Sequence, residues 1–195
     1  APHTLAQIEQ SGALLDIGSG AGFHLVHYAR RFPHAHVVGI ESDAASVELA
    51  RQTIADAGVA ERVEIRHADA NVLDDAQAYD LITMNIALHE TGGPAEYRNV
   101  LRRVRRALKS NGTLIVSELP YPDSPRAYRD GAVYKTLSGV QFHEALVGCG
   151  MITQGQLRDL LLDTGFANVR VVEQPIAARL VMMAQNYMEQ PANNK

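Results

Sequence analysis

The chain of 195 residues carries one cysteine, Cys149, so no internal disulfide can form and a reducing compartment is expected. No apolar run approaches the roughly 20 residues of a membrane-spanning helix. The first residues also lack the charged segment and apolar core of a secretory signal. The expectation is a cytoplasmic protein with no membrane partner. Basic residues are not in excess: 18 Lys and Arg stand against 22 Asp and Glu, for a net charge of −4. That argues against nucleic acid as a partner, because its binders are usually basic. There is no internal repeat and no low-complexity segment. No Gly-Lys-Ser/Thr follows a glycine loop, which removes the phosphate-loop signature. No His/Cys cluster has zinc-ligand spacing, and Asn85 and Glu118 lack the adjacent carboxylates of a magnesium site, so no metal is expected. What remains is an ordinary globular composition, 46% hydrophobic and 21% charged, sufficient for one domain over residues 1–195.

The stretch Ala13 to Gly22 organises that domain. Ala13, Leu14, Leu15 and Ile17 read as a buried parallel strand, and Gly18, Gly20 and Gly22 then force a tight turn into a helix from about Ala21 to Phe32. Strand, glycine loop and helix cradle a nucleotide in an α/β sheet. The dinucleotide fingerprint requires a third glycine at the sixth position, where this chain has Phe23. Asp16, two residues before the first glycine, would repel a pyrophosphate.

Further strands are expected at 36–41, 62–67, 79–86 and 113–119. Helices are expected at 44–57 and 94–109, with Ser42 or Asp43 capping the first. The second has an apolar stripe, and its other face carries Arg98, Arg102, Arg103, Arg105 and Arg106. Arg126 to Val147 reads as helical, interrupted in quality by Gly131 and Gly139. Thr153 to Gln156 is a capping box for a helix that ends at Gly165. Strands at 166–174 and 176–184 around Pro175 form an antiparallel pair, and the tail from Asn186 frays. The alternation predicts a Rossmann-like, doubly wound seven-stranded sheet, mostly parallel, with an antiparallel C-terminal hairpin.

Ligands in such sheets bind at the carboxyl ends of the strands. Those ends carry Asp16, Glu41, Asp69, Asn85 and Glu118. Glu41 lies about 20 residues beyond the loop, where a carboxylate takes ribose hydroxyls. Asp69 can accept from an exocyclic amine. A phosphate-free adenosine fits these groups.

Asp16-Ile17-Gly18-Ser19-Gly20-Ala21-Gly22 resembles the first motif of class I S-adenosylmethionine-dependent methyltransferases. Glu41, Asp69-Ala70 and Tyr79-Asp80-Leu81-Ile82 continue the match in order and spacing over nearly the whole chain. The resemblance implies S-adenosylmethionine as cofactor. It implies that Asp16, Gly18, Ser19, Gly20 and Gly22 hold the methionine end, Glu41 the ribose, and Asp69 and Ala70 the adenine, with Ser42 also in the cofactor set. Asn85 and Ile86, at the end of the fourth strand, complete the cofactor set.

Leu88-His89-Glu90 is similar to the Leu-His-Asp segment of small-molecule O-methyltransferases, in which the histidine is the general base. Glu118 matches the glutamate that orients it. Two departures stand out: Thr91 replaces the expected tryptophan, and no second glutamate opens the late helix, where Gln154 lies. The expected activity is methylation of a small-molecule hydroxyl with His89 and Glu118 as catalytic residues. The alternatives are nitrogen or carbon methylation by positioning, and a catalytically incomplete cofactor-binding domain. Residues 120–152 form a variable region over the acceptor, where His143-Glu144 either contacts the acceptor or pairs on a helix surface. In the resembling enzymes a helical or winged-helix segment precedes the core, covers the acceptor and forms a homodimer. Residues 1–12 are expected to be only a lead-in, and a start at Ala1-Pro2-His3 suggests processing or a longer protein.

Overall fold

Strand β1 (Ala13–Ile17) is apolar because it has neighbours on both edges and helices on both faces. The computed structural model describes residues 2–173 and 178–187. β1 pairs in parallel with β2 (His36–Glu41) and with β4 (Tyr79–Asn85). β3 (Val63–His67) flanks β2, and β5 (Leu108–Glu118) flanks β4, again in parallel. β7 (Leu180–Gln185) joins β5 antiparallel and carries β6 (Ala167–Val171), also antiparallel. The sheet order is β3-β2-β1-β4-β5-β7-β6. The expected seven-stranded sheet with its closing hairpin is therefore present. The expected link around Pro175 lies outside the described residues. The strand order reverses between β1 and β4, so the crevice at their carboxyl ends is the place for a ligand.

Helices α2 (Phe23–Arg31), α3 (Ala44–Asp56), α4 (Pro94–Ala107) and α7 (Gln154–Asp163) cross between strands. Asp43, rather than Ser42, caps α3 by accepting from the Ser46 amide at 2.7 Å. The Thr153–Gln156 capping box opens α7 as its spacing predicts. Two apolar clusters fill the opposite faces of the sheet. Among the described residues, no helix is long and apolar enough to cross a membrane.

Three expectations need correction. Residues Pro2–Ser11 form a helix, α1. Its Ile8 is fully buried, and the Thr4 hydroxyl meets that of Thr113 at 2.8 Å. The segment after Arg126 splits into α5 (Ala127–Asp130) and α6 (Ala132–Leu146), because Gly131 adopts an extended conformation between them. Gly139 is absorbed within α6. Asn186 does not begin a frayed tail: its side-chain amide donates to the carbonyls of Arg105, Leu108 and Lys109 and closes the end of α4.

Candidate active site

The glycine loop is left-handed at three points, with φ of 72° at Gly18, 51° at Gly20 and 81° at Gly22. A Cβ on Gly18 would sit 2.6 Å from that of Ala87, so the close approach also requires glycine. The loop spends its amides inside the protein. Gly18 and Ser19 donate to the Ile40 carbonyl at 2.9 and 3.1 Å, and Gly22 donates to Ser19. Gly20 donates to Glu41 Oε2 at 2.9 Å. These amides therefore make no nest for a phosphate, in agreement with the missing dinucleotide fingerprint.

A crevice of about 460 Å³ opens beside this loop. Gly18, Gly20, Glu41, Ser42, Asp69 and Ala70 line it together, from the ends of β1, β2 and β3. Glu41 holds the Asp43 amide through its other oxygen, at 2.9 Å. Asp69 caps the short turn Ala70–Val72 by accepting from the Asn71 amide at 2.7 Å. Lining residues that the motif reading missed include Asn71, Ala87 and Glu90. Each is a close chain neighbour of a residue it named, which is the only signal for them in the sequence. Asn71 also donates to the Thr91 carbonyl, which joins the two turns that wall the crevice.

The remaining members of the expected cofactor set do not line the crevice. Asp16 is buried behind the loop, where Oδ1 accepts from the Thr83 hydroxyl at 2.5 Å and Oδ2 has no partner. Burial raises its pKa to about 7; the Thr83 hydrogen bond opposes the rise and the charge of Glu41 adds to it. Ser19 donates to the Asp16 carbonyl and so fixes the loop from below. Gly22 lets α2 approach Ala50 of α3. Asn85 pairs with Ser117 in the β4–β5 register. Ile86 has φ of 56°, a strained conformation for a β-branched residue, held by the hydrogen bond its N–H donates to the Ser117 carbonyl at 2.7 Å. That bend throws the chain from β4 into the turn Leu88–Thr91.

The same turn aims His89 inward. His89 is 4% exposed and Glu118 is 2% exposed. Nδ1 of His89 lies 2.8 Å from Glu118 Oε2, while Oε1 accepts the amides of Leu88 at 3.1 Å and His89 at 3.4 Å. The carboxylate fixes Nδ1–H and leaves the Nε2 lone pair free. Nε2 is buried and has no hydrogen-bond partner. Glu144 Oε2 stands 3.7 Å away and Glu90 Oε1 4.0 Å away. Burial pulls the imidazole pKa down, but the hydrogen bond and charge of Glu118, with Glu90 and Glu144, outweigh it, and the net pKa is raised. The Tyr97 hydroxyl and the Gly150 amide both donate to the His89 carbonyl and lock the turn. Among the described residues, no group of three or more His, Cys, Asp or Glu could hold a metal ion.

The lining fits a phosphate-free nucleoside cofactor: a crevice of small-ligand size with the carboxylates of Glu41 and Asp69 at the strand ends and, in the glycine loop, no free amide nest for a phosphate. The methyltransferase-domain family model matches residues 14–112. The chain belongs to the class I S-adenosylmethionine-dependent methyltransferases. Its cofactor is S-adenosylmethionine. Over 170 residues it is 29% identical to 3-hydroxy-5-methyl-1-naphthoate 3-O-methyltransferase of Streptomyces sahachiroi, a match that covers 86% of this chain and 47% of the relative. Over 107 residues it is 27% identical to a tRNA1(Val) (adenine(37)-N6)-methyltransferase of Vibrio cholerae, covering 55% of this chain and 44% of the relative. The fold matches the S-adenosylmethionine-dependent methyltransferase SibL with a TM-score of 0.74 at 24% identity, over 96% of this chain and 54% of that one. The chain spans about half the length of the curated relatives it matches.

Proposed function

We propose that this methyltransferase domain methylates a hydroxyl of a small molecule, with His89 as general base and Glu118 as its positioning residue. The observation that carries the reading is the buried imidazole, tethered at Nδ1 by Glu118 and unpartnered at Nε2. When bound, S-adenosylmethionine supplies an electrophilic methyl group on a sulfonium. The protein's own tasks are alignment and removal of the acceptor's proton. Gly18 and Gly20 take the methionine end of the cofactor, with Asp16, Ser19 and Gly22 shaping the loop behind them. Glu41 takes the ribose, with Ser42 beside it, and Asp69 and Ala70 the adenine; Asn85 and Ile86, behind the crevice, direct the chain from β4 into the turn that walls it. A phenol has a pKa of about 10, so at neutral pH it keeps its proton until Nε2 removes it. Glu118 steadies the imidazolium that forms. Residues 120–152, through α6, cover the acceptor. The test is the site of methylation: product isolated from a panel of phenols is assigned by NMR, with an O-methyl group expected and an N- or C-methyl product decisive against the reading.

A second reading has its own observation. None of the five arginines of α4 pairs with a carboxylate among the described residues. With a relative named for tRNA methylation, that face supports a nucleic-acid acceptor. Retention of RNA that weakens steeply with added salt, and is lost on replacing Arg102 and Arg106, would favour it.

A further inference from the structure

The surroundings of His89 Nε2 hold more acceptors than one hydroxyl can satisfy. In the neutral, working form of the ring Nε2 presents a lone pair, because Glu118 keeps the ring proton on Nδ1. Glu144, from α6, places Oε2 3.7 Å from that nitrogen, too far for a hydrogen bond between them. Glu90 Oε1 stands 4.0 Å from it on the cofactor side. A monophenol brings one proton to this pair of acceptors. The second acceptor, a Glu144 side chain that is 19% exposed and hydrogen-bonded to the Cys149 thiol, would then face the lone pairs of the oxygen with no donor from the substrate.

Charge points the same way. Among the described residues, no lysine or arginine pairs with Glu90, Glu118 or Glu144. Near Glu144, burial followed by the charge of Glu144 raises Tyr121 to about 12, and the same two causes, joined by the charge of Glu90 and a hydrogen bond to Glu144, raise Cys149. The Tyr121 hydroxyl is buried without a partner. A carboxylate placed beside the reacting hydroxyl would meet like charge and no lysine or arginine from these pairs.

We propose that the acceptor carries a second hydrogen-bond donor, a hydroxyl or an amine, adjacent to the hydroxyl given to His89, and that Glu144 holds this donor and rejects a carboxylate in its place. The inference rests on the hydroxyl-methylation reading and narrows its substrate class. It separates this chain from the Streptomyces sahachiroi relative, whose named substrate is a naphthoate.

The test uses three matched probes titrated by NMR into protein saturated with S-adenosylhomocysteine. Catechol has two adjacent hydroxyls, guaiacol replaces one with a methoxy group, and salicylate replaces one with a carboxylate. Catechol is expected to bind about tenfold more tightly than either of the others, the scale of one unmatched buried group. In Glu144→Gln the advantage over salicylate should shrink several-fold, while an S-adenosylhomocysteine titration of the same sample reports an intact fold. Equal affinities, an unchanged ratio in Glu144→Gln, or no binding of catechol would overturn the inference. The preference is read without turnover. Selective binding of catechol without an O-methyl product would therefore count against hydroxyl methylation alone, and O-methylation without selectivity against this inference alone.

Discussion

Glu118 grips His89 twice, at ring and backbone: Oε2 takes the imidazole Nδ1–H at 2.8 Å, and Oε1 takes the amides of Leu88 and His89 itself. One carboxylate thus sets the direction of the ring, its tautomer and the turn that carries it. The last strand of the parallel set and the turn after β4 are coupled through this single side chain.

A pH profile follows from that grip. The base works deprotonated, and the negative charge of Glu118 favours the imidazolium, so activity should rise with pH through a pKa above the ordinary histidine value of about 6.5. Glu118→Gln removes the charge. The rising limb of kcat/KM should move to lower pH while its plateau falls, because the imidazolium formed in the reaction loses its partner. A limb that stays in place would detach Glu118 from the titration.

Asp16 makes stability pH-dependent. The folded protein holds its proton up to about pH 7, whereas an unfolded aspartate releases it near 4. Its contribution is full below the unfolded pKa and is lost as pH rises through the folded one. The gap between those two values corresponds to at most about 4 kcal/mol. Asp16→Asn keeps an oxygen for the Thr83 hydroxyl and has no charge to bury. Denaturant unfolding should show the variant gaining on the wild type from about pH 4 to about pH 7. Parallel curves would mean that Asp16 is ionised in the fold.

The glycines of the loop separate strain from clash. Gly20 has open space where a Cβ would go, so Gly20→Ala carries only the cost of its left-handed backbone, roughly 1–2 kcal/mol. Gly18→Ala adds a collision with Ala87. Thermal unfolding should place Gly18→Ala well below Gly20→Ala, and calorimetry with S-adenosylhomocysteine should show both with weakened binding. Equal stabilities would contradict the packing described.

The sheet was legible because parallel strands buried on both faces are continuous apolar runs, as at Leu14–Leu15 and Leu81–Ile82, punctuated by glycine and capping residues. Helix α1 was not, because among its described side chains only Thr4 and Ile8 are buried, and one of the two is polar, which leaves almost no periodic apolar signal. The closure of α4 by Asn186 joins positions some eighty residues apart, and nothing local announces it. The site divides in the same manner. Glu41 ends β2, and Asp69 and His89 follow β3 and β4 within a few residues, where topology gives a residue its meaning. Glu144 reaches His89 from a helix far later in the chain, so only the fold reveals that the two share one space.

The central claim is that His89 removes the acceptor's proton. It is tested most directly by the kcat of His89→Ala for methyl transfer from S-adenosylmethionine to a phenolic acceptor, beside calorimetry of S-adenosylhomocysteine on the same variant. The account predicts a fall in kcat of about a hundred- to ten-thousand-fold with cofactor affinity intact. An unchanged kcat would contradict it.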